Sequence, residues 1–346
     1  MNRSQLERGA IMNSSLSRPI SGWIWITWER HRRTVEMCRE LEIQLFEKNL
    51  SLPRVIKFPY LILWTLWVLV LEMPNGVIVQ NPSLVLTTWV LFLKRILKFH
   101  LVVDAHNAGL GVGDSNQPRW PWFYKSIQRA SDLTIVTNDS LGEMVSKNGG
   151  NAFVLEDAIP QLGDAGRLSL SGVYNVACIT SYGRDEPVES IVEAVRKLKD
   201  YTVYMTGNAN KLPSAIREQL PPNLILTGFL SDEEYVALLR SVDLILDLTC
   251  RENCLVCGAY EAVAVEKPMV ISNTKVLKEH FSKGAVYAGH DQESIVLAIE
   301  EGLSRQSELS LGVKALKEEL ILKWECKKRL LLHKLTGSTL VEAQRG

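Results

Sequence analysis

The chain has 346 residues, room for about two domains of roughly 150 residues each. Its hydrophobic share of 46% and charged share of 23% belong to an ordinary globular protein and exclude disordered, collagen-like and low-complexity classes. Basic and acidic side chains balance at 39 each, which argues against a nucleic-acid partner, yet they are unevenly spread, with 17 against 12 up to residue 150 and 22 against 27 beyond.

That asymmetry, with six of the nine Trp before residue 90, marks the first half as a membrane-facing or phosphate-facing one. Six Cys in a chain this long read as reduced cytosolic thiols rather than a disulfide framework. Residues 1–20 are polar and broken by Arg and Glu, without the apolar core of a secretory signal, and read as a flexible leader. The uncharged runs 58–71 and 77–93 fall short of a bilayer span, the first in length and the second through Gln80-Asn81-Pro82.

From residue 23 onward, β-rich runs alternate with helical patterns. Strands are predicted at 23–27, 54–58, 76–80, 100–104, 133–137 and 152–155, with helices at 34–46, 60–71, 84–97, 120–130 and 140–147. This rhythm implies βαβ units and a parallel sheet covered on both faces. It pauses over 156–172, where Pro160 and close-set Gly and Asp suit an interdomain linker. It resumes with strands at 173–181, 201–206, 224–227, 244–248 and 269–272. Helices start at Pro187, Pro213, Ser231 and Cys254, and the chain is helical almost continuously from 291 to 335. Ser231-Asp-Glu-Glu234 has the form of a capping box. The expected architecture is two Rossmann-like parallel α/β domains, with ligands in the cleft beyond the carboxyl ends of their strands.

The densest motif is Asp247-Leu-Thr-Cys-Arg-Glu-Asn-Cys-Leu-Val-Cys-Gly-Ala-Tyr-Glu261. A strand leading into a helix start here presents the amides near Leu255, Val256 and Cys257 to an anion, with Glu261 about a turn further in. The same pattern also suits a helix start packed beneath a sheet. Cys250, Cys254 and Cys257 have the C-x3-C-x2-C spacing of an iron–sulfur ligand set, but their late position favours small buried side chains. Ser181-Tyr-Gly183-Arg184 follows the first strand of the second half, where an α/β domain accepts phosphate. Gly207-Asn208 follows the next strand. In the first half, Asp104-Ala-His106-Asn107 closes a strand. His106 is the candidate general base, since His titrates near neutrality. Glu29-Arg-His31-Arg32-Arg33 either meets a phosphorylated acceptor or forms a solvated helix start. The apolar helix at 60–71, and 89–100 with Lys94, Arg95 and Lys98, suit either a buried helix pair or an anionic lipid surface.

Taken in order, these motifs resemble the GT-B nucleotide-sugar glycosyltransferases of glycosyltransferase group 1. The likeness is densest over residues 175–273, where Ser181-Tyr-Gly-Arg, Met205-Thr-Gly-Asn, Thr227-Gly-Phe229-Leu-Ser-Asp-Glu-Glu and Tyr260-Glu261-Ala follow the donor half. Val79-Gln-Asn-Pro82 and Asp104-Ala-His-Asn107 are similar to the acceptor half, and Trp324-Glu-Cys-Lys-Lys-Arg looks like the terminal helix that crosses back.

The resemblance implies transfer from a nucleoside-diphosphate sugar, with no metal and no further cofactor. The implied donor residues are Ser181, Gly183, Arg184, Gly207, Asn208, Phe229, Asn253, Cys254, Leu255, Val256 and Glu261. His106, Asp104 and Glu252 are implied for catalysis, and Glu29, His31, Arg32 and Asn107 for the acceptor side. The chain departs from the family pattern twice. Asn253 stands where the first Glu of the usual E-x7-E pair belongs, and Asp185-Glu186-Pro187 stands where a basic residue follows the Gly-Arg. An inverting enzyme uses a base, and His106 or Asp104 is the candidate.

The expected organisation is a leader (1–20), an acceptor-side domain (21–160), a linker (161–172), a donor domain (173–322) and a returning helix (323–346). The expected setting is the cytoplasmic face of a membrane, with a lipid-linked or exopolysaccharide-type acceptor. A nucleotide-sugar epimerase of the same fold, or a silent subunit that partners another transferase, is the alternative.

Overall fold

Among the described residues — 22–81, 83–112 and 121–337 of the computed structural model — twelve strands form two parallel sheets of six. The expected leader at 1–20, Pro82 and Trp120 lie outside these residues.

The first sheet contains β1 (Trp23–Thr27), β2 (Gln44–Glu47), β3 (Gly76–Asn81), β4 (His100–Ala105), β5 (Leu133–Val136) and β6 (Ala152–Val154). Its helices are α1 (Arg32–Leu41), α2 (Arg54–Glu72), α3 (Leu84–Leu97), α4 (Pro121–Ala130) and α5 (Asp139–Lys147). The second sheet contains β7 (Tyr174–Cys178), β8 (Tyr201–Thr206), β9 (Leu224–Gly228), β10 (Leu244–Asp247), β11 (Met269–Ser272) and β12 (Ala285–Ala288). Around it lie α6 (Val188–Lys197), α7 (Ser214–Arg217), α8 (Asp232–Ser241), α9 (Cys257–Val265), α10 (Lys275–His280) and α11 (Gln292–Ser304). The long α12 (Gln306–Thr336) follows.

Strand burial explains the parallel pairing. All of β1 (WIWIT) and β3 (GVIVQN) is buried, as a strand covered by helices on both faces must be. Two apolar layers result in each domain. In the first, Ile24, Ile26, Val77 and Val79 face α2 and α3, while Trp23, Trp25 and Ile78 face α1 and α12. The Trp28 indole donates to Thr65 Oγ1 at 3.0 Å and ties α2 to the loop after β1.

The strand orders locate the binding crevices. The first sheet runs β2-β1-β3-β4-β5-β6, so connections reverse direction between β1 and β3. The second runs β12-β11-β10-β7-β8-β9, with its reversal between β7 and β10. In an open α/β sheet the ligand crevice lies outside the carboxyl ends at that reversal.

Several boundaries differ from the sequence expectation. Residues 54–58 are not a strand but the opening turns of α2, which runs on through Pro59. The second strand is instead β2, because Glu42 adopts a left-handed conformation (φ 54°) that stops α1 at Leu41. The 291–335 segment divides at Arg305 into α11 and α12. Helix α9 begins at Cys257, not Cys254.

Residues 155–171, between β6 and β7, carry neither helix nor strand. This segment is tied to α8: Arg240 donates to Asp164 at 2.7 Å and the Leu168 amide to Ser241 Oγ at 2.7 Å. At 31 residues, α12 is about 46 Å long, enough to touch both domains. Its early Val313, Leu316 and Leu320 pack under the second sheet, and Trp324 and Leu331 complete the core under the first.

Candidate functional site

The cleft is built from loops at the carboxyl ends of both sheets, joined where the Asn138 side-chain amide donates to the Asn253 carbonyl at 3.2 Å. On the second domain, β7 delivers residues 179–187 and β10 delivers residues 248–256 to the two sides of the strand reversal. Ser181, Gly183 and Arg184 therefore stand where the fold accepts a ligand. Tyr182 has a left-handed backbone (φ 56°), which turns the neighbouring amides of Ser181 and Gly183 to one side. Both donate to the Glu186 carboxylate, at 3.0 and 3.1 Å. Gly207, with φ 95°, lies so close to the Thr180 carbonyl that a Cβ could not fit. Asn208 caps the next turn, accepting from the Asn210 amide at 3.1 Å. Phe229, beyond edge strand β9, is 84% exposed.

Across the reversal, Glu261 sits one turn into α9, buried, and accepts from the Tyr235 hydroxyl at 2.5 Å. Burial, then the Glu261 charge, raises the Tyr235 phenol well above its ordinary value, so it stays a donor. The Gly258 amide in the first turn of α9 donates to the Asp247 carboxyl at 2.7 Å. A Cβ on residue 258 would lie 2.5 Å from that oxygen, so only glycine fits. Burial raises the Asp247 carboxyl well above the usual range, and nearby Glu261, Glu186 and Asp185 add to the effect.

Since α9 starts at Cys257, Leu255 and Val256 form its extended lead-in rather than its first turn (Val256 φ −97°, ψ 139°). The helix thus opens three residues later than expected, and of the amides at Leu255, Val256 and Cys257 only that of Cys257 belongs to it. Glu252 is exposed. Arg251 pairs with Asp185 at 3.2 Å. The expected burial of the three cysteines is corrected: Cys250 and Cys257 are exposed and only Cys254 is half-buried, its thiol pushed up to about 11 by its surroundings. Among the described residues, no group of three His, Cys, Asp or Glu side chains could hold a metal ion.

On the first domain, the exits of β1, β3 and β4 are fastened together. Thr27 Oγ1 donates to Gln80 at 3.0 Å, and Asn81 Nδ2 donates to the Gly109 carbonyl at 2.9 Å. Asp104, 1% exposed, is the counter-ion of Arg33, whose Nη2 and Nε donate to it at 3.2 and 3.3 Å. Both carboxylate oxygens accept from this buried guanidinium. Arg33 also donates to the Leu155 carbonyl at 3.0 Å and pairs with Asp157. Burial would lower the Arg33 pKa, but Asp104 and Asp157 outweigh it and hold the charge.

His106 Nε2 lies 3.7 Å from Asp104 Oδ2, and its ring is 4.9 Å from that of His31. Burial lowers the His106 pKa despite Asp104, leaving a neutral imidazole. His31 and Glu29 are exposed, Arg32 opens α1, and Asn107 is buried at the start of a short 3-10 turn. The structure thus gathers His106, His31 and Asp104 on one wall and Ser181, Gly183, Asn253 and Glu261 on the other. Arg33, Asp157, Glu186, Tyr235 and Asp247 join them. Their only signal in sequence was adjacency to the named motifs.

Two Rossmann-like domains meeting at the carboxyl ends of their strands, with the last helix crossing back to the first, make a GT-B fold. Solved structures share it. HepE of Anabaena, in complex with UDP, superposes with a TM-score of 0.69 at 9% identity, over 91% of this chain and all of that one. Sucrose-phosphate synthase from Thermosynechococcus elongatus gives 0.68 at 13% identity over 84% of each chain. A putative UDP-N-acetylglucosamine 2-epimerase from Listeria monocytogenes gives 0.63 at 14% identity, over 91% of this chain and 96% of that one. No protein-family model matches the chain, and no curated protein matches it in sequence. At these identities the likeness is one of fold.

Proposed function

We propose that this chain is a glycosyltransferase that moves a sugar from a nucleoside-diphosphate donor to a lipid-linked or exopolysaccharide-type acceptor, without a metal. What supports the reading above all is Glu261: a buried carboxylate one turn into the helix after β10, beside the strand reversal, held by Tyr235. A carboxylate there suits the paired hydroxyls of a donor ribose. The complexes of HepE with UDP, and with UDP and glucose, support a nucleotide-sugar ligand for a cleft of this fold.

In the proposed reaction an acceptor oxygen bonds to the sugar's anomeric carbon as the bond from that carbon to the diphosphate breaks. Negative charge grows on the leaving diphosphate, and the amide end of α9 lies on the donor side to stabilise it. For an inverting displacement the acceptor hydroxyl must lose its proton to a base, a role we assign to His106. Its imidazole is neutral, and Asp104 next to it stabilises the imidazolium that forms.

The acceptor reading rests on α2 and α3. Val55, Ile56, Leu63, Trp67, Val70 and Phe92 are all more than half exposed, and Arg54, Lys57, Lys94 and Arg95 lie on the same two helices. An apolar face with basic ends suits an anionic cytoplasmic leaflet. A nucleotide-sugar epimerase is the second reading, favoured by the similarity to the Listeria protein. It differs in needing no acceptor.

The test is a thermal-shift screen against UDP, GDP, CMP, ADP and dTDP without added metal. One diphosphate is expected to raise Tm, by about 2.7 kcal/mol of stability at a hundred times its Kd. Glu261→Ala is expected to abolish that shift. No shift with any nucleotide overturns the donor reading.

A further inference from the structure

The loop after β7 already holds an anion, and the anion belongs to the protein. Glu186 Oε1 accepts from the Ser181 amide at 3.0 Å and the Ser181 hydroxyl at 2.8 Å. Its Oε2 accepts from the Gly183 amide at 3.1 Å and from the Thr180 hydroxyl. Two backbone amides and two hydroxyls converging on two oxygens form the donor set with which such a concave turn grips a phosphoryl group. The left-handed Tyr182 between those amides is an uncommon conformation for a bulky side chain, and Glu186 accepts from the residue on each side of it.

Between this loop and the segment after β8 is a cavity of about 490 Å³ whose lining includes Tyr182, Arg184, Glu186, Glu189 and Lys211. Lys211 reaches the loop itself, donating to the Ser181 carbonyl at 3.0 Å. Anion-binding amides on the β7 side of the strand reversal thus adjoin a cavity that carries two cations and one further carboxylate, Glu189, and the Glu186 carboxylate fills the amides. On the far side of the reversal, Asp247 likewise takes up the Gly258 amide.

We infer that Glu186 occupies the position of a donor phosphate and must swing out before a diphosphate can bind, which makes it a determinant of donor affinity. The inference rests on the donor-site reading above. With the carboxylate in place, an incoming phosphate finds its donors already engaged and meets like charge. With the carboxylate turned into the cavity toward Arg184 and Lys211, the amides and hydroxyls are released together.

The experiment is isothermal titration of the full chain with inorganic pyrophosphate and, separately, with UDP. It compares the wild type, Glu186→Ala and Glu186→Gln. Glu186→Ala is expected to bind pyrophosphate about tenfold or more tightly than wild type, the scale of one charge-assisted hydrogen bond gained. Glu186→Gln keeps an oxygen acceptor for the loop but removes the charge, so it should fold even where Ala does not and show an intermediate gain. If neither variant binds pyrophosphate more tightly than wild type, the inference is overturned. Wild type binding UDP with no gain in either variant keeps the donor reading and removes the gate. Pyrophosphate gained by Glu186→Ala while no variant binds UDP keeps the gate and removes the nucleotide.

Discussion

Arg33 shows what single residues contribute and why sequence alone understates it. In the run Glu29-Arg-His-Arg-Arg33 all the basic residues look alike, yet Arg33 is 5% exposed and closes a network of Asp104, Asp157 and the Leu155 carbonyl. Its partners lie 71 and 124 positions along the chain, so no local pattern could single it out. The same Asp104 lies beside His106, so the arginine fixes the carboxylate that positions the proposed base. Removing the guanidinium leaves Asp104 buried without its counter-ion, and breaking such a pair typically costs about 3–5 kcal/mol. Arg33→Met should therefore lower the urea-unfolding free energy by that amount, and pairing it with Asp104→Asn should recover part of the loss. A single-variant loss under about 1 kcal/mol would mean that water reaches the pair and that Arg33 does not organise this wall.

At the scale of elements, the sequence was most legible where patterns are local. Largely apolar runs between helical segments marked the parallel strands, and Ser231 to Glu234 forms the capping box its spacing announced. Strand β2 was missed because it is only half-buried and follows α1 after two residues, so its apolar positions merged with the helix pattern. The opposite occurred in α2, which takes in the residues expected as a strand at 54–58 and runs on through Pro59. By length and composition α2 could cross a membrane, but Leu61, Thr65, Val68 and Leu69 are buried against the first sheet. Its other face carries Ile56, Tyr60, Leu63, Trp67 and Val70 at alternating four- and three-residue spacing, all exposed. That stripe has no core role, so charge placed on it should leave folding alone. Leu63→Glu with Trp67→Glu is expected to keep Tm within a few degrees while abolishing co-sedimentation with vesicles containing an anionic phospholipid. Equal sedimentation of wild type and variant would remove the lipid-surface reading of α2.

The whole molecule is held together by its last helix, and the holding has a pH dependence of known sign. Trp324 donates its indole N–H to the Glu156 carbonyl at 3.1 Å, on the segment leaving the first domain. The Glu156 carboxylate accepts from Lys327 at 2.7 Å and lies 3.1 Å from Lys323, both on α12. Burial would raise the Glu156 pKa, but the Lys327 bond and charge outweigh it and hold the carboxyl below its ordinary range. A group depressed in the folded state contributes stability that is fully present above its unfolded pKa, about 4.3 for Glu. The contribution is lost as pH falls through the lower folded value. The lysines are partly exposed, so solvent screening holds the contribution to about 2 kcal/mol. Glu156→Gln should thus destabilise the protein by that amount at pH 7 in urea unfolding, and the gap to wild type should narrow once the pH drops below about 4. The gap should also fall on unfolding transitions that involve both domains, because α12 contributes Val313 and Leu316 to one core and Trp324 and Leu331 to the other. A gap that persists unchanged from pH 7 to well below pH 4 would place the effect of Glu156 in packing rather than charge, leaving Trp324 and Leu331 as what binds the two domains into one body.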